Sequence, residues 1–271
     1  MWHSLQAPLF FGLIAMLCST IGLIFVAFRT SWTENHSSMV GLAAAGLLSI
    51  LVFLHILPEA FALSSLAPIW LAVGFFFGLL LNNTVKAVFP APTHRVSRRE
   101  AVTPILAIGI HSFLDGIIYA VTFAASFESG MYTAVGLTLH EFPEGVIAFA
   151  ILRRYGVSNV RAFIFAFLSA AATTPLGVVV AGPFMYGLGS DAIGSLFAVS
   201  AGLLIYVATG PLMAPLREMP TARGLASVLV GAGAGVLLVM SPVRGHSHFD
   251  HDHSGDHAEP VEGHHHGPLN H

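Results

Sequence analysis

His111-Ser112-Phe113-Leu114-Asp115-Gly116 and His140-Glu141-Phe142-Pro143-Glu144-Gly145 share one pattern: His, any residue, Phe, any residue, acid, Gly. Both segments sit in long apolar runs within the stretch Gly109 to Gly145. A His and an acid four positions apart lie on one face of a helix. Two such faces inside a membrane make a poor structural device and a good metal site. The same pair occurs a third time, as His55-Ile56-Leu57-Pro58-Glu59.

The surroundings of these pairs decide the fold class. The chain has 271 residues, is 55% hydrophobic and 9% charged, and has a mean hydropathy of +0.78. A soluble domain carries about 25% charged residues. This composition cannot furnish an ordinary wetted surface, so the chain reads as an all-α integral membrane protein. Crossing a bilayer takes about 20 predominantly apolar residues. Eight segments meet that length: Ala7–Phe28, Met39–Leu63, Pro68–Phe89, Thr103–Phe127, Met131–Leu152, Ala162–Tyr186, Asp191–Met213 and Gly224–Ser241. The first lacks a basic leader and reads as a span, not a removable signal. The single cysteine, Cys18, excludes an internal disulfide and reads as a packing residue.

Basic residues orient the segments. Ten of the eleven Lys and Arg fall in or beside the loops after segments 1, 3, 5 and 7, and only Arg244 falls on the other side. The positive-inside rule then places those loops in the cytoplasm and both termini outside. Pro58, Pro143 and Pro175 are expected to interrupt segments 2, 5 and 6, because proline removes a donor and crowds the preceding turn. Gly74 and Gly78, and Gly231, Gly233 and Gly235, mark faces where helices approach closely, and they would permit a homodimer. The net charge of -3 resides largely in the C-terminal tail, and no nucleic-acid partner is expected.

Within the spans the ionisable residues are His55, Glu59, His111, Asp115, His140, Glu141 and Glu144. One charged side chain at mid-bilayer costs about 2.5–3.5 kcal/mol on insertion scales. These carboxylates have no intramembrane Lys or Arg to neutralise them, so the site calls for protons or a cation. Imidazole with carboxylate suits zinc and other divalent first-row metals, and the lack of thiolate argues against copper(I). Iron, manganese and cadmium accept the same donors. Two other readings compete. A carrier of another solute could use the carboxylates as a proton relay. An intramembrane metalloprotease is suggested by His140-Glu141, but His-Glu-x-x-His fails because position 144 is Glu.

The paired motifs, with Phe53-Leu54-His55-Ile56-Leu57-Pro58-Glu59-Ala60 in segment 2 and Phe149-Ala150-Ile151-Leu152 after the second motif, resemble the ZIP (Zrt/Irt-like) family of divalent metal transporters, in its prokaryotic type. The likeness covers residues 7 to 241. It implies an eight-helix transport domain over 1–241, in the cell membrane, that moves metal from the exterior into the cytosol. It implies a binuclear site between helices 4 and 5. Carried over, His111, Asp115 and Glu144 would hold the principal metal with His140 beside them. Glu141 would serve the second metal, with Asp115 and Glu144 as bridges. His55 and Glu59 would lie on the path near one mouth. The chain departs from the family pattern at Ser112, where Asn is usual, at Asp115, where many bacterial members have Glu, and near Thr173 and Thr174, where some place a carboxylate. Ser112 weakens the expected second site, since a hydroxyl is a poorer ligand than an amide carbonyl.

After Pro242 the composition turns to His, Asp, Glu and Gly. Nine of the fifteen histidines fall between His246 and His271. His246, His248, His251, His253 and His257, interleaved with acids, are expected to bind metal from a tail, 242–271, that is disordered in isolation.

Overall fold

In hydrocarbon every backbone polar group must be satisfied within the protein, which leaves the helix as the natural element for these apolar segments. The computed structural model describes residues 2–28, 37–88 and 98–240, and among these it is helical without strands. Eight helices are long and apolar enough to cross a membrane: α1 Leu5–Ala27, α2 Ser38–Leu63, α3 Ala67–Val88, α4 Arg99–Ala125, α5 Phe127–Arg154, α6 Asn159–Ala181, α7 Ser190–Arg217 and α8 Thr221–Val239. The expected tail, including His246, His248, His251, His253 and His257, lies outside the described residues.

Helix ends depart from the apolar runs where local capping decides them. The α5 helix starts four residues earlier than its apolar run, because the Ser126 hydroxyl accepts the Ser129 amide at 3.0 Å and caps the first turn. Prolines act unevenly. In α2, residues Val52–Ile56 form a π-turn ahead of Pro58, with the Leu57 amide donating to the Val52 carbonyl. In α6, the helix opens at Ala171–Ala172 ahead of Pro175, and the Ala172 amide reaches back to the Phe167 carbonyl at 2.9 Å. In both, a five-residue hydrogen bond spares the carbonyls that proline would crowd. Pro143 stands inside α5 without ending it: the helix runs from Phe127 to Arg154. A further π-turn, Ala208–Leu212, holds Pro211 in α7.

The helices pack in two groups, α1 with α4, α5 and α6, and α2 with α3, α7 and α8. Reciprocal glycine crossings close each group. A Cβ at Gly22 of α1 would strike the Phe142 carbonyl of α5, and one at Gly145 would strike the Ser19 carbonyl. Gly116 of α4 and Gly177 of α6 meet the Thr174 and Phe113 carbonyls in the same way. In the other group, Gly74 and Gly202 join α3 to α7, and Gly46 and Gly231 join α2 to α8. The small-residue faces read from the sequence are therefore occupied within the chain, apart from Gly233, which has open space beside it. Between the groups, α4 lies on α7 and α2 on α5. Outward faces of α3 and α8 carry exposed Phe76, Leu80, Leu229 and Leu237, as lipid contact requires.

Candidate metal centre

The glycine that closes each motif explains how its acid becomes buried. Gly116 follows Asp115 and lets α6 press on α4; Gly145 follows Glu144 and lets α1 press on α5. No side chain can intervene at either crossing, so the adjoining carboxylates turn into the space between α4 and α5. His111, Asp115, His140 and Glu144 are all at most 3% exposed.

These four converge. One donor atom from each lies within 4.8 Å of the other three. His140 Nε2 is 2.9 Å from Asp115 Oδ2, and His111 Nε2 is 3.5 Å from the same oxygen. His111 Nε2 also contacts Glu144 Oε1. A tetrahedral zinc with bonds of roughly 2.0–2.2 Å sets its ligand atoms about 3.4 Å apart, so loading would part the closest pairs slightly and draw the farther ones, within 4.8 Å of one another, inward. Asp115 Oδ1 has no hydrogen bond, while His111 Nε2 and Glu144 Oε1 have only each other. Leaving a buried polar atom unpaired costs about 1–3 kcal/mol. A cation among them would relieve that cost for the oxygens and for the imidazole nitrogen it binds.

The remaining residues singled out in the sequence lie around this core. Ser112 is fully buried, and its hydroxyl lies 2.9 Å from Glu144 Oε2 as donor and 3.1 Å from the Ile108 carbonyl. Glu141 is fully buried but turned away from the four, towards α6, where Thr174 donates to its Oε1 at 3.1 Å; its Oε2 has no hydrogen bond. His55 stands in the π-turn of α2, across the group boundary, with its ring 5.9 Å from that of His140. The His140 ring is in turn 5.7 Å from that of His111, so three imidazoles follow one another from α2 inward. Leu51, His55, Gly136, Leu139 and His140 line a cleft with Leu238 and Val239 of α8. Glu59 lies one turn beyond His55, half-buried.

Sequence reasoning missed Ser200 of α7, whose hydroxyl is hydrogen-bonded to His111 Nδ1. The only signal for it was one serine within the apolar run Leu196–Val207, which no motif marks. Thr174 drew notice for a carboxylate it lacks, not for the hydrogen bond it makes.

The sequence is similar to known proteins. The family model for ZIP zinc transporters matches residues 92–241, which hold both motifs. The chain is 28% identical over 144 residues to the zinc transporter foi of Drosophila melanogaster, covering 52% of this chain and 20% of that protein. It is 30% identical over 133 residues to the zinc transporter ZIP4 of Mus musculus, covering 48% and 20%. It is 29% identical over 117 residues to the metal cation symporter ZIP14 of Danio rerio, covering 42% and 22%. The chain thus spans about a fifth of the length of these curated relatives.

Proposed function

Since the chain belongs to the ZIP zinc transporter family, we propose that it carries divalent metal, zinc foremost, across the membrane through the centre formed by His111, Asp115, His140 and Glu144. The observation that carries this reading is the convergence of four buried donor atoms from two helices. Their chemistry is apt for cargo: mixed imidazole and carboxylate donors hold zinc firmly, and without thiolate they also let it go. The relatives named as zinc transporters and metal cation symporters support zinc first and admit other metals such as iron, manganese and cadmium.

Direction is from the exterior or periplasm into the cytoplasm, across a cell membrane that the chain crosses eight times. The skew of basic residues toward one set of loops supports that sense. His55 and Glu59 lie on the path, and the row of imidazoles from His55 to His111 supports a stepwise entry. Metal trades water for the four ligands, then leaves when α1, α4, α5 and α6 move against α2, α3, α7 and α8. The glycine crossings within each group, and side-chain contacts such as His55 against His140 between them, support that division. A second ion would sit toward Glu141, bridged by Asp115 and Glu144; with Ser112 donating to Glu144, it is held weakly. Residues 1–241 make up the transport domain, and the tail at 242–271 gathers metal. The hydrolytic reading has no support from a family of transporters or from Glu at position 144.

Uptake by proteoliposomes offered a panel of metals, with and without a pH gradient, tests the proposal. Zinc should enter with the wild-type protein and not with His111→Ala or Glu144→Ala. Wild-type flux in both variants would overturn the site. Solute uptake driven by a pH gradient without metal would favour the proton-coupled carrier.

A further inference from the structure

The two nitrogens of the His111 ring have different surroundings. Nε2 faces Asp115 and Glu144 in the centre, whereas Nδ1 points out of it to the Ser200 hydroxyl. A neutral imidazole has one N–H donor and one lone-pair acceptor, and the partner of one nitrogen fixes the role of the other. If Nδ1–H donates to Ser200, the Nε2 lone pair is free to meet a metal. Metal-bound histidines commonly have such a partner on the second nitrogen, which holds the ring in plane and raises its basicity.

Ser200 is itself held in place. It is fully buried, and its neighbours are fixed to α3: the Val199 carbonyl lies under Gly74, and Gly202 meets the Leu71 carbonyl. A serine in apolar surroundings, on a backbone that cannot shift, presents its hydroxyl at one place. His140 differs, since its Nδ1 has no hydrogen bond. Of the two ring ligands, His111 alone has a second-nitrogen partner, among the described residues.

We propose that Ser200 is a positioning residue for the transported metal: by accepting from His111 Nδ1–H it selects the tautomer and ring orientation that aim Nε2 at the ion. Ser200 belongs to the α2, α3, α7 and α8 group, and His111 to the other. The bond therefore ties ligand readiness to the relative placement of the groups, and a shift between them removes it and weakens the hold on the metal. This inference rests on the reading of the four-residue centre as the metal's site.

The test uses the full chain, purified in detergent, with zinc binding measured by competition against a fluorescent chelator and the tail's sites, those retained in His111→Ala, subtracted. Ser200→Ala should weaken zinc binding about 10–100-fold, the usual effect of losing a second-nitrogen partner, while Ser200→Thr, which keeps the hydroxyl, stays within about three-fold of wild type. In histidine labelled with ¹⁵N, the zinc-loaded wild type should show His111 bound through Nε2 with a hydrogen-bonded Nδ1–H, and Ser200→Ala should lose that hydrogen-bonded signature. Thermal melting without metal separates this effect from loss of fold. Unchanged affinity and an unmoved His111 signal in Ser200→Ala would overturn the inference, as would a melting shift that accounts for the whole affinity loss. His111→Ala separates the two levels. If it binds zinc as the wild type does, the centre itself is misassigned; if it loses zinc while Ser200→Ala does not, only the role of Ser200 falls.

Discussion

Glu144 takes one contact on each carboxylate oxygen, and the two contacts differ in kind. Oε1 faces His111, while Oε2 accepts from Ser112. Substituting Gln keeps the shape and removes the charge that a cation needs. Glu144→Gln should therefore abolish zinc uptake by proteoliposomes with little loss of thermal stability, read by the flux assay and a melting curve. Ser112 is a second lever. Exchange to Asn supplies the amide carbonyl that the family usually has there, and the expected result is a rise in zinc bound per chain, checked by elemental analysis. Protons compete at every ligand: imidazole must be neutral and carboxylate ionised to bind. Zinc affinity should thus fall as pH drops from about 7.5 to about 5.5, because each proton taken up by a ligand must leave before the metal binds. An affinity flat across that range would contradict histidine ligation.

Several helix pairs in this protein are joined by close backbone approach at glycines. Lipid offers no hydrophobic force between helices, so close contact through small residues must do that work. Gly145 illustrates the consequence. A Cβ there would strike the Ser19 carbonyl, which α1 cannot withdraw without loosening Gly22 from Phe142. Overpacking of this kind typically costs about 1–3 kcal/mol. Gly145→Ala should lower the melting temperature in detergent and, because it displaces Glu144, weaken zinc binding as well. Gly233→Ala is the control: nothing lies within 4 Å, and alanine is the better helix former, so stability should hold or rise. The prolines act on the same scale. Pro58 and Pro175 each coincide with a five-residue hydrogen bond upstream, and the one in α2 carries His55. If His55 lies on the path as proposed, its place in a π-turn agrees with the frequent use of such turns at functional sites.

Across the whole molecule, the candidate metal centre belongs to one helix group, and two of its neighbours, Ser200 and His55, belong to the other. His111 touches Ser200 of α7, and His140 lies against His55 of α2. At one end, Arg154 of α5 donates to the Pro211 carbonyl of α7 at 3.0 Å. The tail enters at this scale too. If residues 242–271 gather metal for the path, their deletion should raise the zinc concentration for half-maximal uptake and leave the maximal rate unchanged. A fall in maximal rate at saturating zinc would point to a different role for the tail.

Hydropathy and the scarcity of charge were enough to count eight crossings and class the chain as helical, because in lipid the length of an apolar run and the need to satisfy its backbone leave one solution. The repeated His and acid at helical spacing marked His111, Asp115, His140 and Glu144, since a helix places such pairs on one face whatever surrounds it. Three things were decided only by the packing of distant segments. Glu141, adjacent to His140, turns to Thr174 because successive helical residues point to different neighbours, and which helix stands there is not written locally. Helix α5 carries Pro143 without ending, whereas Pro58 and Pro175 follow opened turns. Ser200 reaches His111 across 89 positions in the chain, so no spacing rule could pair them. Periodicity shows which side chains share a face; only the fold shows what that face meets.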